Sequence, residues 1–272
     1  MIKLVALDLD GTTLDPERKL TPEVVEAIAK AKAAGVKVVI CTGRPLPGVQ
    51  DILDQLNLRG HGDFVITYNG ALVQRADTGE EFISQGITGE EFLDLDNAAR
   101  KSGLHIHAHT RNGIYTTNRD IGKYSVVEAY LVNMPLYYRT AEEIQKLDLL
   151  KVMMIDEEEI LDEGIAYLPF ELFDNFNLIK SAPYYLEILN RNVSKGNAVK
   201  LLAEKLFLDL DEEVMAIGDE ENDRSMLEMA GHSVAMGNAV ADIKKIARHI
   251  TKTNAESGVA WAINEWVLPD YN

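Results

Sequence analysis

Asp8 and Asp10 stand two residues apart at the end of the apolar run 2–7. That is the arrangement in which one carboxylate can attack while its neighbour handles a proton, because on an extended backbone both side chains project to the same side of the pleat. Two further apolar runs end in comparable chemistry: 36–41 leads into Thr42-Gly43-Arg44, and 214–218 leads into Asp219-Glu220-Glu221-Asn222-Asp223. Phosphoryl transfer asks for an in-line nucleophile, neutralised charge around the equatorial oxygens and a proton donor at the leaving oxygen. Three run ends carrying such groups argue for one site.

Within it, Asp8 reads as a nucleophile that forms an aspartyl phosphate, with Asp10 as the proton carrier. Mg2+ favours a few carboxylate oxygens together with water and substrate phosphate, a set offered by Asp8, Asp10 through its backbone carbonyl, and Asp219. Gly11 lets the backbone turn and approach closely. Asp223 reads as a support behind the ligands, and Asn222 as a group reaching the phosphate or the nucleophile. Glu220 and Glu221 read as solvated surface acids. Thr42 brings a hydroxyl and, with Gly43, backbone N–H groups near a helix start, an anion cradle. Lys195, following Ser194 at a helix start, is a point charge for phosphate and for Asp8. Each signal has a plainer reading alone: Asp-x-Asp recurs by chance and clamps metals in glycosyltransferases, Thr-Gly ends strands, and a lysine at a helix start is usually solvated.

Short apolar runs separated by helical patterns read as buried parallel strands, and in open parallel sheets ligands bind just beyond the carboxyl ends. Thr21-Pro22-Glu23 opens a helix with a capping side chain, a proline at its first position and an acid in its first turn, and Gly35 ends it. A strand over 63–68 runs into Asn69-Gly70, a strong turn signal. This predicts a doubly wound, Rossmann-like α/β core. From about Gly86 the pattern changes to a helix starting near Thr88, strands at 104–109, 113–116 and 151–155, and paired runs at 177–181 and 185–189. The reading is an inserted α+β domain over 84–189, interrupting a core made of 1–83 and 190–272.

An excess of 44 acidic over 27 basic residues, a net charge of -17, repels a phosphate backbone or an anionic membrane face. A phosphorylated small molecule would then need local cations: a metal on the carboxylates and a few basic side chains. The single cysteine, Cys41, excludes an internal disulfide, suits a reducing compartment and reads as a buried structural thiol. A strand begins almost at once, without a basic segment ahead of an apolar one, and no apolar run approaches the ~18 residues of a spanning helix. The expectation is a cytoplasmic protein without nucleic-acid or membrane partners.

Asp8-Leu9-Asp10-Gly11-Thr12-Thr13, Thr42-Gly43-Arg44, Ser194-Lys195-Gly196 and Gly218-Asp219-Glu220-Glu221-Asn222-Asp223 resemble the four ordered motifs of the haloacid dehalogenase superfamily, over the whole chain and without a departure. The insert is similar to the C2-type cap of the Cof-type phosphatases, and 150–156 and 182–188 resemble the YidA-like bacterial sugar phosphatases. The resemblance implies Asp8 as nucleophile, Asp10 as acid then base, Thr42 and Lys195 as phosphate binders, Asp219 as the third metal contact, and Asn222 and Asp223 as supports. It implies Mg2+ as cofactor and a small phosphate monoester, a sugar phosphate, as substrate. In the cap, His105, His107 and His109 share a strand face but span about 13 Å, so they read as a solvated or packed face rather than a metal site. Tyr115, Asn118, Arg119 and Tyr184 are candidates for contacting a sugar. A phosphomutase, a phospho-aspartate signalling module and a silent ligand binder stay open as alternatives.

Overall fold

A computed structural model describes residues 1–271, with side chains through Pro269. The chain opens with β1 (Leu4–Leu7), α1 (Pro22–Ala33), β2 (Lys37–Cys41), α2 (Gln50–Gln55), β3 (Phe64–Thr67), β4 (Leu72–Arg75) and β5 (Glu81–Ser84). Thr21 caps α1, its hydroxyl accepting from the Val24 amide, and Pro22 holds the first helical position. Val24, Ala27, Ile28 and Ala31 form the buried stripe of α1, spaced as a helix packed on a sheet requires. Gly35 takes φ +90° just past the helix end, the left-handed conformation that closes a helix cheaply only with glycine.

The middle of the chain supplies α3 (Gly89–Lys101), β6 (His105–His109), β7 (Ile114–Thr116), α4 (Lys123–Leu131), β8 (Leu136–Tyr138), α5 (Ala141–Ile144), β9 (Lys151–Ile155), α6 (Glu158–Ala166), α7 (Phe170–Asn175), β10 (Phe176–Ala182) and β11 (Tyr185–Asn190). The last stretch gives α8 (Lys195–Lys205), β12 (Val214–Gly218), α9 (Arg224–Met229), β13 (His232–Ala235), α10 (Ala241–Ile246), β14 (His249–Ile250) and α11 (Gly258–Trp266). Among the described residues no helix is long and apolar enough to cross a membrane.

Two compact units result. One comprises Met1–Arg44, Val49–Ile83 and the chain from Ser194 onward; the other comprises Pro45–Gly48 and Ser84–Val193. The Asn177 side-chain amide donates to the Val193 carbonyl at 2.7 Å, so the second unit extends four residues beyond 189.

The first unit is built on an eight-stranded sheet in the order β14-β13-β12-β1-β2-β3-β4-β5. The pairs from β14 through β3 are parallel, and β4 returns antiparallel to β3. From β1 the chain winds outward through β2 and β3, then resumes on the other side of β1 with β12. This reversal beside β1 is the topological switch point at which doubly wound sheets bind ligands. Both faces are covered, which is why β1, β3 and β12 are buried at every residue and read as unbroken apolar runs.

The second unit carries a six-stranded sheet, β10-β11-β9-β6-β7-β8, antiparallel except where β7 meets β8. On one face Ile106, Ala108, Val152, Met154 and Ile188 pack with Phe92, Leu95 and Ala99 of α3. The opposite face buries ionisable groups. Lys151, 2% exposed, sits between Glu187 at 3.3 Å and Glu128 at 3.7 Å. His109 and His107 touch through their Nε2 atoms at 3.2 Å, and His107 Nδ1 meets Ser125 Oγ at 3.2 Å. Burial and the Lys151 charge push both histidines far below the usual imidazole range, His107 to about 3, so they are neutral packing groups, while His105 pairs separately with Asp156 at 2.8 Å. Burial likewise raises Glu128, which Lys151 partly offsets. Lys151→Met keeps the stem but strands two buried carboxylates. A loss of about 3–5 kcal/mol is expected in urea unfolding, as for other broken buried pairs; a loss under about 1 kcal/mol would mean the network is solvated.

Candidate active site

The Asp8 amide still bonds to the Ile217 carbonyl of β12 at 3.0 Å, so its carboxylate emerges where the parallel ladder ends. Asp8 is 6% exposed, and its Oδ1 accepts from Lys195 Nζ at 2.6 Å. Lys195 opens α8 directly after Ser194, whose hydroxyl caps the helix by accepting from the Asn197 amide at 3.1 Å. The same ammonium donates to Asp223 Oδ1 at 2.7 Å.

Beyond Asp8 the chain makes a tight turn over Leu9–Thr13. Gly11 holds φ +81°, and a side chain there would collide with the Asp219 carboxylate, so glycine is required for conformation and for space. The turn is tied to Asp219 by the Thr12 hydroxyl, which donates to its Oδ1 at 2.7 Å. Asn238 Nδ2 donates to the Gly11 carbonyl at 2.8 Å and to Asp219 Oδ2 at 3.4 Å. Asp223 accepts from the backbone amides of Asp219 at 2.9 Å and Glu220 at 3.1 Å, which fixes the loop after β12. Glu220 and Glu221 are exposed, and Glu221 pairs with Arg224.

Asp8, Asp219 and Asp223 each bring a carboxylate oxygen within 4.8 Å of the others, all three buried. The Asp10 side chain lies outside that cluster. It is half-exposed and held by both arms of Arg44, with Nε donating to Oδ2 at 2.9 Å and Nη2 to Oδ1. The side chain beside Asp8 and Asp219 is thus Asp223, contributed by the turn that folds back under β12.

The Thr42 hydroxyl accepts from the Arg44 amide at 3.1 Å, and Thr42 N–H is committed to the Ile66 carbonyl at 2.9 Å. The next α-helix starts only at Gln50. The anion cradle expected at a helix start is therefore absent in that form, and the buried Thr42 hydroxyl and the Gly43 backbone remain. Asn222 reaches this corner, its Nδ2 donating to Asn69 Oδ1 at 3.2 Å. Thr12, Arg44, Asn69 and Asn238 escaped the sequence reading as site groups: Asn69 signalled only a turn, and the side chains of the rest lie 19 or more residues from the site groups they bind.

Three buried carboxylates surround one lysine, and their protonation reflects it. Burial, reinforced by Asp223, pushes Asp8 well above the carboxylate range despite Lys195. Burial also raises Asp219 to about 6. For Lys195, burial alone would favour the neutral amine, but Asp223 and Asp8 outweigh it and hold the ammonium charged. Burial pushes the Cys41 thiol upward, so it is an inert packing group at the end of β2. The unbalanced charge and the hard oxygen donors fit a divalent cation of the Mg2+ kind.

In the second unit, Tyr115 stacks on Tyr137 and Tyr184 on Tyr124, with ring centroids 5.3 and 4.3 Å apart. Asn118 Oδ1 accepts from the Ile106 amide at 2.8 Å, and Arg119 donates to the Tyr138 hydroxyl at 3.3 Å. Asn118 and Arg119 line a polar groove of about 770 Å³ together with Asp96, Arg100 and Glu142.

The profile of the haloacid dehalogenase-like hydrolases matches residues 5–263. A relative from Streptococcus pyogenes that carries a provisional phosphatase name is 53% identical, over 98% of this chain and 99% of that one. The 5-amino-6-(5-phospho-D-ribitylamino)uracil phosphatase YcsE of Bacillus subtilis is 32% identical, over 98% of this chain and 96% of that one. Among solved structures, a haloacid dehalogenase-like hydrolase from Bacteroides thetaiotaomicron superposes with a TM-score of 0.86 at 30% identity, covering 97% of this chain and 99% of that one. A subclass IIB sugar phosphatase gives 0.79 at 25% identity, covering 97% and 98%.

Proposed function

Since this chain belongs to the haloacid dehalogenase-like hydrolase family, among its phosphatases, we propose that it hydrolyses small phosphate monoesters of hydroxylated metabolites, sugar phosphates foremost, through a phosphorylated Asp8. The observation that carries this reading is the buried Asp8 carboxylate, tied to Lys195 and crowded by Asp219 and Asp223, with Asp10 two residues on and outside the cluster. The polyol and sugar phosphatases among its relatives support the substrate class.

In the first step an Asp8 carboxylate oxygen attacks phosphorus, and the bond to the ester oxygen breaks. Asp10 gives its proton to the departing alkoxide. In the second step Asp10 takes a proton from water, whose oxygen attacks phosphorus, and the bond to Asp8 breaks to release inorganic phosphate. Lys195 holds Asp8 in place and balances charge on the phosphoryl oxygens, while the Thr42 hydroxyl, the Gly43 backbone and Asn222 bind those oxygens. Mg2+, held by Asp8, Asp219 and the Asp10 carbonyl with Asp223 behind them, would supply positive charge to the phosphoryl group. Arg44 fixes the resting Asp10 carboxylate, and the pair must loosen for Asp10 to reach the leaving oxygen. Choice of substrate falls, in this reading, to the inserted unit.

Phosphate release from a panel of hexose, pentose and tetrose phosphates, nucleotides and p-nitrophenyl phosphate tests the reading. Expected is release from sugar phosphates with Mg2+ that drops to background in EDTA and returns when the metal is restored. No release from any ester would overturn it, and equal release in EDTA would overturn the metal's part.

A further inference from the structure

Tyr68, Asn69 and Gly70 are three successive residues in the left-handed region, with φ +52°, +54° and +101°. A bulky tyrosine rarely adopts this conformation, and runs of it are rarer still. Such strain persists only where the surroundings over-determine it, and it clusters at functional sites. The surroundings here are the phosphatase site itself. The Asn69 amide donates to the Thr42 carbonyl at 3.0 Å, and the Tyr68 amide to the Arg44 carbonyl at 3.3 Å. A side chain on Gly70 would strike the Ser194 carbonyl that precedes Lys195, and one on Gly43 would press the Asn69 amide from 3.1 Å. Asn69 is 3% exposed, and its Oδ1 receives the Asn222 amide. One strained turn therefore touches the loop after β2, the start of α8 and the loop after β12.

We propose that Asn69 is a positioning residue for phosphoryl transfer, acting through Asn222 and Gly43, an inference that rests on the phosphatase reading above. An acceptor at Asn69 Oδ1 selects the nitrogen end of the Asn222 amide, which carries two hydrogens. One is committed to Asn69, and the other is left to donate to an anionic phosphoryl oxygen. The amide of Asn69 also sets how closely Gly43 approaches. Loss of that side chain lets Asn222 rotate and present either end, and small misplacements at a reacting centre are costly in rate.

Two variants separate positioning from turn geometry. Asn69→Gly removes the amide and relaxes the backbone, since glycine accepts φ +54° freely. Asn69→Ala removes the same amide but keeps the strain. With the best ester of the panel and saturating Mg2+, both should lose kcat by about 10- to 100-fold, while Asn69→Gly melts at or above the wild-type temperature and Asn69→Ala below it. The double variant Asn69→Gly with Asn222→Ala should be no slower than Asn222→Ala alone. Wild-type kcat in Asn69→Gly, a kcat that follows melting temperature across the pair, or additive losses in the double variant would each overturn the assignment. Asn69→Gly matching an active wild type removes the positioning role and leaves the phosphatase reading intact, whereas a wild type inactive on every ester removes both.

Discussion

Asp8→Asn is expected to reduce phosphate release by about 10,000-fold or more, on the scale seen when an enzyme loses its nucleophile, while leaving the protein at least as stable as the wild type. The two effects have one cause. The carboxylate proposed to attack phosphorus is buried at the end of β1 among Asp219 and Asp223, and burial raises its pKa despite the Lys195 contact. A carboxyl group whose pKa is raised on folding binds protons more readily in the folded chain. Its contribution is therefore most favourable below the unfolded value near 3.8 and declines as pH rises through the folded one. For Asp219, raised to about 6, the decline falls between those values. In metal-free buffer the wild-type melting temperature should thus fall as the pH is taken from about 4 to 7, and Asp8→Asn should flatten that slope. Substantial turnover by the variant would sink the nucleophile assignment; an unchanged pH slope would sink the electrostatic account.

Lys195→Met carries the second large effect, and its sign on stability is opposite. Lys195 is fully buried and bonds two carboxylates, Asp8 at 2.6 Å and Asp223 at 2.7 Å. Methionine fills the same space, so what is lost is the charge and its hydrogen bonds. Breaking a buried pair from one side costs about 3–5 kcal/mol, here spread over two partners, which corresponds to a melting point lower by on the order of 10 °C. Activity measured well below that temperature should fall by about 100- to 1,000-fold, since one preorganised donor is missing from the proposed phosphoryl site. Mg2+ should raise the melting temperature of Lys195→Met more than that of the wild type, because the variant's acids have lost their internal cation. A variant as stable as the wild type without metal would show that the Lys195 contacts to Asp8 and Asp223 contribute no net stability.

The core was legible because parallel strands buried on both faces must be apolar throughout, and the polar residue ending each run then stands out. Asp8, Thr42 and Asp219 were visible in this way, and Lys195 through its place after the capping Ser194. The edges of the sheet were not. β5 is four residues long and only partly buried, and β14 has two exposed residues, so neither carries a distinctive pattern. The partnership of Asp10 with Arg44 was equally hidden, since a charge pair across 34 residues leaves no periodic trace. Asn69 shows a different limit: Asn-Gly at the end of β3 is satisfied as the turn into β4, and nothing local shows that its amide also holds Asn222. In the second unit the alternation of His105, His107 and His109 placed them on one face. The neutrality of His107 and His109 comes from burial and from the Lys151 charge, which belongs to another element.

The most direct test of the central claim is to trap the phosphorylated enzyme. The protein is mixed with its best ester and Mg2+, quenched in acid within one turnover and reduced with borohydride, and the modified peptide is located by mass spectrometry. Expected is a reduced phospho-aspartate at position 8, absent without ester and absent in Asp8→Asn. An active enzyme that yields no modification, or one at another carboxylate, would contradict the claim.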